Sequence, residues 1–210
     1  MYIIPRLTPD TLPDADTAAA WRADGVTLVH LTLDALDAAA DSLAALRDAD
    51  FAVQVELTDQ ALAEEAAERL WTCAERLFVP FDIFARPRVL AALIEHYGSF
   101  LGVAIDAEEG AVRLPLSIEP NAMPPLDAVR TLEAAGVISI LYRDPAAELL
   151  PMGQVADITM QTDVNFYAAG PLESLDDLVL LDQMKLMGWL CPPAKAADAL
   201  CALQEGRAQA

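Results

Sequence analysis

Short apolar runs alternate along this chain with longer segments that carry apolar residues on one face only. The runs are rich in Val, Ile, Leu and Phe and are closed by Gly, Pro or Asp, which is typical of strands buried on both faces. The intervening segments have the spacing of amphipathic helices. The predicted strands are 1–8, 26–33, 51–57, 76–84, 100–105, 137–144, 163–170 and 185–192. The predicted helices are 17–24, 34–48, 60–74, 87–97, 124–136, 152–158, 175–184 and 194–204.

This alternation predicts the fold class. Strands that alternate with helices form parallel βαβ units, and eight such units form a closed barrel. We therefore predict an α/β protein in which residues 1–210 form a single compact (β/α)8 TIM barrel domain, at the short end of the usual length. A doubly wound open sheet is the alternative.

The stretch 100–113 is the first candidate for chemistry. Its apolar run, Phe100 to Ile105, ends at a single carboxylate, Asp106, and Gly110 then turns the chain into a second extended piece. In α/β barrels the C-terminal ends of the strands carry the active site. Asp106 is therefore either an acid/base group or a structural carboxylate that has stayed with the strand.

Composition narrows the classes of partner. The formal net charge of −20 argues against nucleic acid and anionic membranes, which bind basic surfaces, and it also opposes highly anionic substrates. The apolar fraction of 55% argues against disorder, and no apolar run is long enough to span a membrane. The N-terminus lacks the features of a signal peptide, and the three cysteines are too scattered for a disulfide framework. We expect a cytoplasmic protein.

Several short motifs follow one another along the chain in the order in which they occur in one protein family. The chain is similar to the phosphoribosylformimino-aminoimidazole-carboxamide ribotide isomerases of histidine biosynthesis and to the related cyclase subunit of imidazole-glycerol-phosphate synthase. The isomerases are the closer branch, because they share an I-D-A-x-x-G-x-V pattern in the fifth strand. The motifs are IIP at 3–5, GVTLVHL at 25–31, VQV at 53–55, GVAIDAEEGAV at 102–112, GVISILYRD at 136–144 and YAAGPLESLDDL at 167–178.

The resemblance implies an Amadori rearrangement that opens an aminoaldose ring, with no cofactor. Two facing aspartates, at the ends of strands one and five, act as general acid and base. The fifth-strand aspartate is present as Asp106, but Thr8 replaces the first-strand aspartate. A hydroxyl with no nearby base cannot do the work of a carboxylate at neutral pH. In this alignment Arg143 replaces a threonine that assists at strand six.

The resemblance also implies two phosphate sites built from backbone N–H groups of Gly-rich turns, after strands three and four and after strands seven and eight. Only Gly170 of these glycines is retained. Glu56 replaces a glycine after strand three and adds negative charge there. Prolines, which lack an N–H donor, stand at the other altered positions: Pro80, Pro171 and Pro192.

These changes lead to a first hypothesis: a divergent ribotide-isomerase-like barrel with a degraded active site, acting as a non-catalytic scaffold or partner subunit. One alternative is an active sugar-phosphate isomerase of histidine biosynthesis that works through Asp106. Another is a barrel enzyme of changed specificity that binds a small carboxylate through Arg143, with Gly170 beside it. The expected partners are a small-molecule ligand or another protein.

Other residues have simpler interpretations. Arg143 is expected either to form an internal ion pair with Asp106 or to anchor a ligand. His30 lies within an apolar strand and is expected to be a core histidine. Glu56, Asp82 and Asp106 end neighbouring strands, so a divalent-cation ring is a further alternative, although their spacing carries no metal signature. Cys191 ends strand eight without a visible general base.

Overall fold

The structure, a computed structural model, describes residues 1–114 and 122–209 and contains a closed barrel of parallel strands surrounded by helices. The strands are β1 (Tyr2–Leu7), β2 (Leu28–Leu33), β3 (Ala52–Leu57), β4 (Arg76–Pro80), β5 (Leu101–Glu108), β6 (Ala111–Arg113), β7 (Ala122–Met123), β8 (Ser139–Arg143), β9 (Asn165–Ala169) and β10 (Gly188–Cys191). The helices are α1 (Ala15–Asp24), α2 (Ala39–Asp48), α3 (Ala63–Leu70), α4 (Pro87–Tyr97), α5 (Pro125–Ala134), α6 (Met152–Gln161), α7 (Asp177–Gln183) and α8 (Ala196–Gln209).

Eight of the strands form the barrel. In space they run β4-β3-β2-β1-β10-β9-β8-β5, all neighbours are parallel, and β4 pairs with β5 to close the ring. The prediction of a (β/α)8 barrel is confirmed, and the open-sheet alternative is wrong. The strands β6 and β7 stand outside the ring and extend the C-terminal end of β5 as an antiparallel sheet.

Local capping explains where the helices begin and end. Helix α1 begins after Asp14, whose carboxylate accepts a hydrogen bond from the Thr17 N–H, and it ends at Gly25 in the left-handed conformation (φ 98°). Helix α3 is shorter than predicted, because Asp59 caps a separate 3-10 turn, Gln60–Leu62, through the Ala61 N–H. Helix α4 spans the predicted residues.

The barrel is packed in two layers. One apolar layer lies between the strands and the helices and contains most of the buried residues. A smaller cluster fills the barrel interior, with Phe78 at its centre against the edge of Tyr167 at a ring-centroid distance of 5.5 Å. The buried interior members are Ile4, Phe78, Ala104, Leu141, Tyr167, Ala169 and Leu190.

Gly102 makes room for this interior cluster. A Cβ atom at this position of β5 would lie 2.6 Å from the ring of Phe78 and 3.1 Å from the carbonyl oxygen of Ser139. We expect Gly102→Ala to lower the free energy of unfolding by about 1–3 kcal/mol, the usual cost of overpacking a core. Urea denaturation measures this. The control is Gly153→Ala in α6, where a Cβ meets nothing within 4 Å; equal midpoints for the two variants would contradict the prediction.

Candidate functional site

One group of polar residues on inward positions of the barrel lies at the C-terminal ends of the strands. Asp106 on β5 pairs in register with Arg143 on β8, and Arg143 pairs with Ala169 on β9, directly before Gly170. The three residues that the sequence singled out on these strands therefore lie at one end of the barrel, which we call the mouth. Arg6 on β1 and Glu56 on β3 also lie at this end and contact each other.

Glu56 is the most deeply buried charged group of the mouth. Its side chain is 1% exposed, and its Oε2 lies 2.9 Å from Nε2 of His30, which is fully buried on the neighbouring strand β2. Because an ionised carboxylate can only accept, Nε2 carries the proton of this hydrogen bond. The other ring nitrogen, Nδ1, has no partner among the described residues. His30 is thus a core histidine, as predicted, and it contacts the carboxylate of Glu56.

Arg143 joins Glu56 to Asp106. Its guanidinium donates through one terminal nitrogen to Oε1 of Glu56, and it donates to both carboxylate oxygens of Asp106 at 2.6 and 2.9 Å. The strands β8 and β3 are separated by β5 and β4, so the arginine side chain reaches across the mouth. A planar guanidinium is suited to bind two carboxylates in this way.

The two carboxylates have different surroundings. The Asp106 side chain is 57% exposed, whereas those of Arg143 and Glu56 are 13% and 1% exposed. The predicted Asp106–Arg143 pair is present, but it is a rim contact, and the buried partner of Arg143 is Glu56. Sequence reasoning treated Glu56 as a repulsive charge and missed this role. The signal was a glutamate and an arginine on inward positions of two barrel strands.

Electrostatics keep the buried carboxylate ionised. Burial alone would raise the pKa of Glu56, but the hydrogen bond and charge of His30, with the charges of Arg143 and Arg6, outweigh it and lower the pKa to about 2. Burial likewise opposes the charged form of Arg143, but Glu56 and Asp106 reverse the effect and raise the pKa of its guanidinium. The mouth therefore holds charged groups that compensate one another.

Thr8 stands where the resemblance implies the first-strand aspartate, and its hydrogen bonds within the described part of the chain are to Thr11. Thr8 follows β1 and opens a 3-10 turn, Pro9–Thr11. Its Oγ1 lies 3.1 Å from Oγ1 of Thr11, and its N–H donates to that same oxygen at 2.8 Å. Arg6, which sequence reasoning passed over, has the inward position two residues earlier and lies 3.6 Å from Oε2 of Glu56.

Within residues 1–114 and 122–209, three cavities open at the mouth. A central one of about 300 Å³ is lined by Arg6, Glu56, Asp106 and Arg143. A second, of about 560 Å³, lies beside the ends of β4 and β5 and includes Asp82 and Asp106. A third, of about 620 Å³, lies beside the ends of β9 and β10 and includes Gly170 and Arg6. The ion network therefore crosses the mouth without filling it.

The other sequence candidates have clear positions. Glu56 is engaged by His30 and Arg143, and residues 1–114 and 122–209 contain no group of three His, Cys, Asp or Glu side chains placed to hold a metal. The proposed ring with Asp82 and Asp106 therefore has no geometric support. Cys191 is buried, and burial raises the pKa of its thiol to about 12. Within the same described ranges, no helix has the length and hydropathy needed to cross a membrane.

Comparison with known proteins agrees with the fold. No protein-family model matches the chain. It is 32% identical over 177 residues to the 1-(5-phosphoribosyl)-5-((5-phosphoribosylamino)methylideneamino)imidazole-4-carboxamide isomerase of Renibacterium salmoninarum. This match covers 79% of the chain and 71% of the relative. Isomerases of the same name from Listeria monocytogenes and Parasynechococcus marenigrum are 28% and 25% identical over 81% of the chain and 75% and 71% of their own lengths. With the Listeria welshimeri isomerase, the match spans 49% of the relative.

The fold and the position of the polar residues define a (β/α)8 barrel with its candidate site at the C-terminal mouth. The family follows from the 32% identity to the Renibacterium protein over 71% of that protein's length. The chain belongs to the ribotide isomerase family of histidine biosynthesis.

Proposed function

We propose that this chain has lost the ring-opening isomerisation of its family and acts as a non-catalytic barrel, as a scaffold or as a partner subunit. The observation that supports the proposal concerns the two positions where the resemblance implies catalytic aspartates. At the fifth strand, both oxygens of Asp106 accept hydrogen bonds from Arg143, and at the first strand the residue is Thr8.

Acid/base catalysis requires a group that takes up and releases a proton near neutral pH. Both oxygens of Asp106 accept hydrogen bonds from the Arg143 guanidinium, so a reacting group would have to compete with this arginine for the carboxylate. The hydroxyl of Thr8 contacts Thr11, and no carboxylate or imidazole among the described residues accepts its proton. The pair of facing carboxylates that the resemblance implies is therefore reduced to one ion-paired carboxylate.

The surroundings also disfavour a doubly phosphorylated substrate. Pro80, Pro171 and Pro192 offer no N–H at positions where the resemblance implies phosphate-binding turns. This loss of backbone donors weakens phosphate binding.

The second candidate function is the isomerisation itself, acting on the ribotide through Asp106. It is supported by the 32% identity to the Renibacterium isomerase over 71% of that protein's length. The alternative of a small carboxylate held by Arg143 has less support, because Glu56 and Asp106 already occupy that guanidinium.

Complementation separates the two candidates. We expect that a bacterial strain lacking the ribotide isomerase will not grow without histidine when it expresses this chain. The same strain expressing the Renibacterium isomerase is the positive control. Immunoblotting of the cleared lysate establishes that the chain is present and folded well enough to remain in solution.

Growth without histidine would contradict the proposal. The variant Asp106→Ala then shows how the activity arises. If this variant abolishes growth while its level in the lysate is unchanged, the chain is an isomerase that works through Asp106.

A further inference from the structure

The largest of the three mouth cavities has the composition of a small-molecule site. This β9–β10 cavity, of about 620 Å³, lies between the segment that follows β9 and the end of β10. Its volume is within the range of pockets that bind small organic molecules. Its large apolar lining residues are Leu172, Leu175, Trp189 and Leu190. The indole of Trp189 is fixed, because its N–H donates to the carbonyl oxygen of Gly170 at 3.0 Å.

Two cations line the same cavity, in a chain whose net charge is −20. Lys195, one of only two lysines in the chain, lies in the 3-10 turn that follows β10. Its side chain is exposed, and its ammonium has no ion pair or hydrogen bond within the described residues. Arg6 is 40% exposed, and its contacts are a 3.3 Å hydrogen bond to Thr32 and a 3.6 Å approach to Glu56. Glu173 is the one carboxylate among the lining residues.

At two positions of this cavity the backbone offers no hydrogen-bond donor. Pro171 and Pro192 both line it, and neither has an N–H to offer to a phosphate. The lining residues carry two cations against one carboxylate, and Glu56 lies 3.6 Å from Arg6, so the cavity suits a monoanion better than a dianion. The apolar lining residues add a requirement for a hydrophobic body on the ligand.

We propose that the β9–β10 cavity binds a small organic monocarboxylate with an apolar body. The carboxylate contacts Arg6 and Lys195, and the apolar body packs on Trp189 and the three leucines. This ligand class differs from the bis-phosphorylated ribotide, and the site uses Arg6, which is 40% exposed, instead of Arg143, which is 13% exposed and binds two carboxylates. The proposal holds whether or not the barrel catalyses a reaction.

The test uses the indole N–H of Trp189 as its reporter in full-length protein labelled with 15N. The chain has three tryptophans, and the variant Trp189→Phe assigns the signal, while Trp21 and Trp71 lie outside the cavity lining and serve as internal references. The probes are 3-phenylpropionate, its uncharged analogue 3-phenylpropanol, and inorganic phosphate. We expect 3-phenylpropionate to shift the Trp189 signal saturably, with both other probes at least tenfold weaker.

Two matched lysine variants test whether Lys195 supplies positive charge that binds the carboxylate. We expect Lys195→Gln to weaken binding of 3-phenylpropionate by about tenfold, as for the loss of one charge-assisted contact. Lys185→Gln removes the other lysine, which is exposed after α7 and does not line the cavity, and should leave binding unchanged.

Four outcomes would overturn the proposal. If no probe shifts Trp189, the cavity is not a site for this ligand class. If phenylpropanol binds as well as phenylpropionate, or if the two lysine variants behave alike, the cations have no role. If phosphate binds more tightly than phenylpropionate, the cavity is a phosphate site and the assignment to carboxylates is wrong.

Discussion

Replacing Arg143 with methionine should lower the free energy of unfolding by about 3–5 kcal/mol, the usual cost of removing one partner from a buried ion pair. The reason is Glu56, which is 1% exposed and would keep only the hydrogen bond of His30 and the more distant Arg6. Methionine preserves much of the apolar stem of the arginine, so the change removes mainly the charge. Urea denaturation at pH 7 gives the free energy of unfolding.

The exposed end of the same network provides the control. Asp106→Asn should cost less than about 1 kcal/mol, because solvent already screens a rim carboxylate that is 57% exposed. The double variant Arg143→Met/Glu56→Gln should be more stable than the sum of the two single changes implies, since it leaves no uncompensated buried charge. Strictly additive effects, or a larger loss for Asp106→Asn than for Arg143→Met, would contradict the assignment of Glu56 as the buried partner.

The barrel could be predicted from the sequence because its strands are short and end at recognisable residues. Each strand is an apolar run closed by Gly, Pro or Asp, and this pattern does not depend on distant contacts. The ends of the helices were less predictable, because local caps such as Asp59 divide a segment into a 3-10 turn and a shorter helix. The neighbouring Asp106 and Arg143 could be predicted, since consecutive parallel strands bring their C-terminal residues together.

The partner of Arg143 was not predictable in the same way. Glu56 lies three strands away around the ring, and the contact depends on the length of an arginine side chain crossing the mouth. Glu56 stood where the resemblance implies a phosphate-binding turn, and that expectation concealed its other possible partners. The positions of His30 and Arg6 on inward faces of β2 and β1, paired in register, were the available signal. The alternation of inward and outward positions along the strands could therefore have identified the members of the buried cluster, but not the distances between them.

The buried cluster should also make stability depend on acidic pH. In the unfolded chain Glu56 takes up a proton near its usual pKa of 4.5, whereas in the folded protein it stays ionised down to a pKa of about 2. Unfolding therefore binds a proton between these values, so the folded state loses stability as pH falls from about 4.5 to about 2. The contribution of Glu56 is complete above this window and amounts to about 3 kcal/mol.

The measurement is the free energy of unfolding in urea at several pH values from 6 down to 2.5. The variant Glu56→Gln should be less stable than the parent at pH 6 and should lose less stability as the pH falls. Asp182 also has a pKa of about 2, through its hydrogen bonds to Arg207 and to the N-terminal ammonium. Asp182→Asn is therefore the reference: it removes a different share of the acid dependence and leaves that of Glu56 in place. If Glu56→Gln and the parent chain lose the same free energy between pH 6 and pH 2.5, the carboxylate is not held ionised by His30, Arg143 and Arg6, and the central role given to this network is wrong.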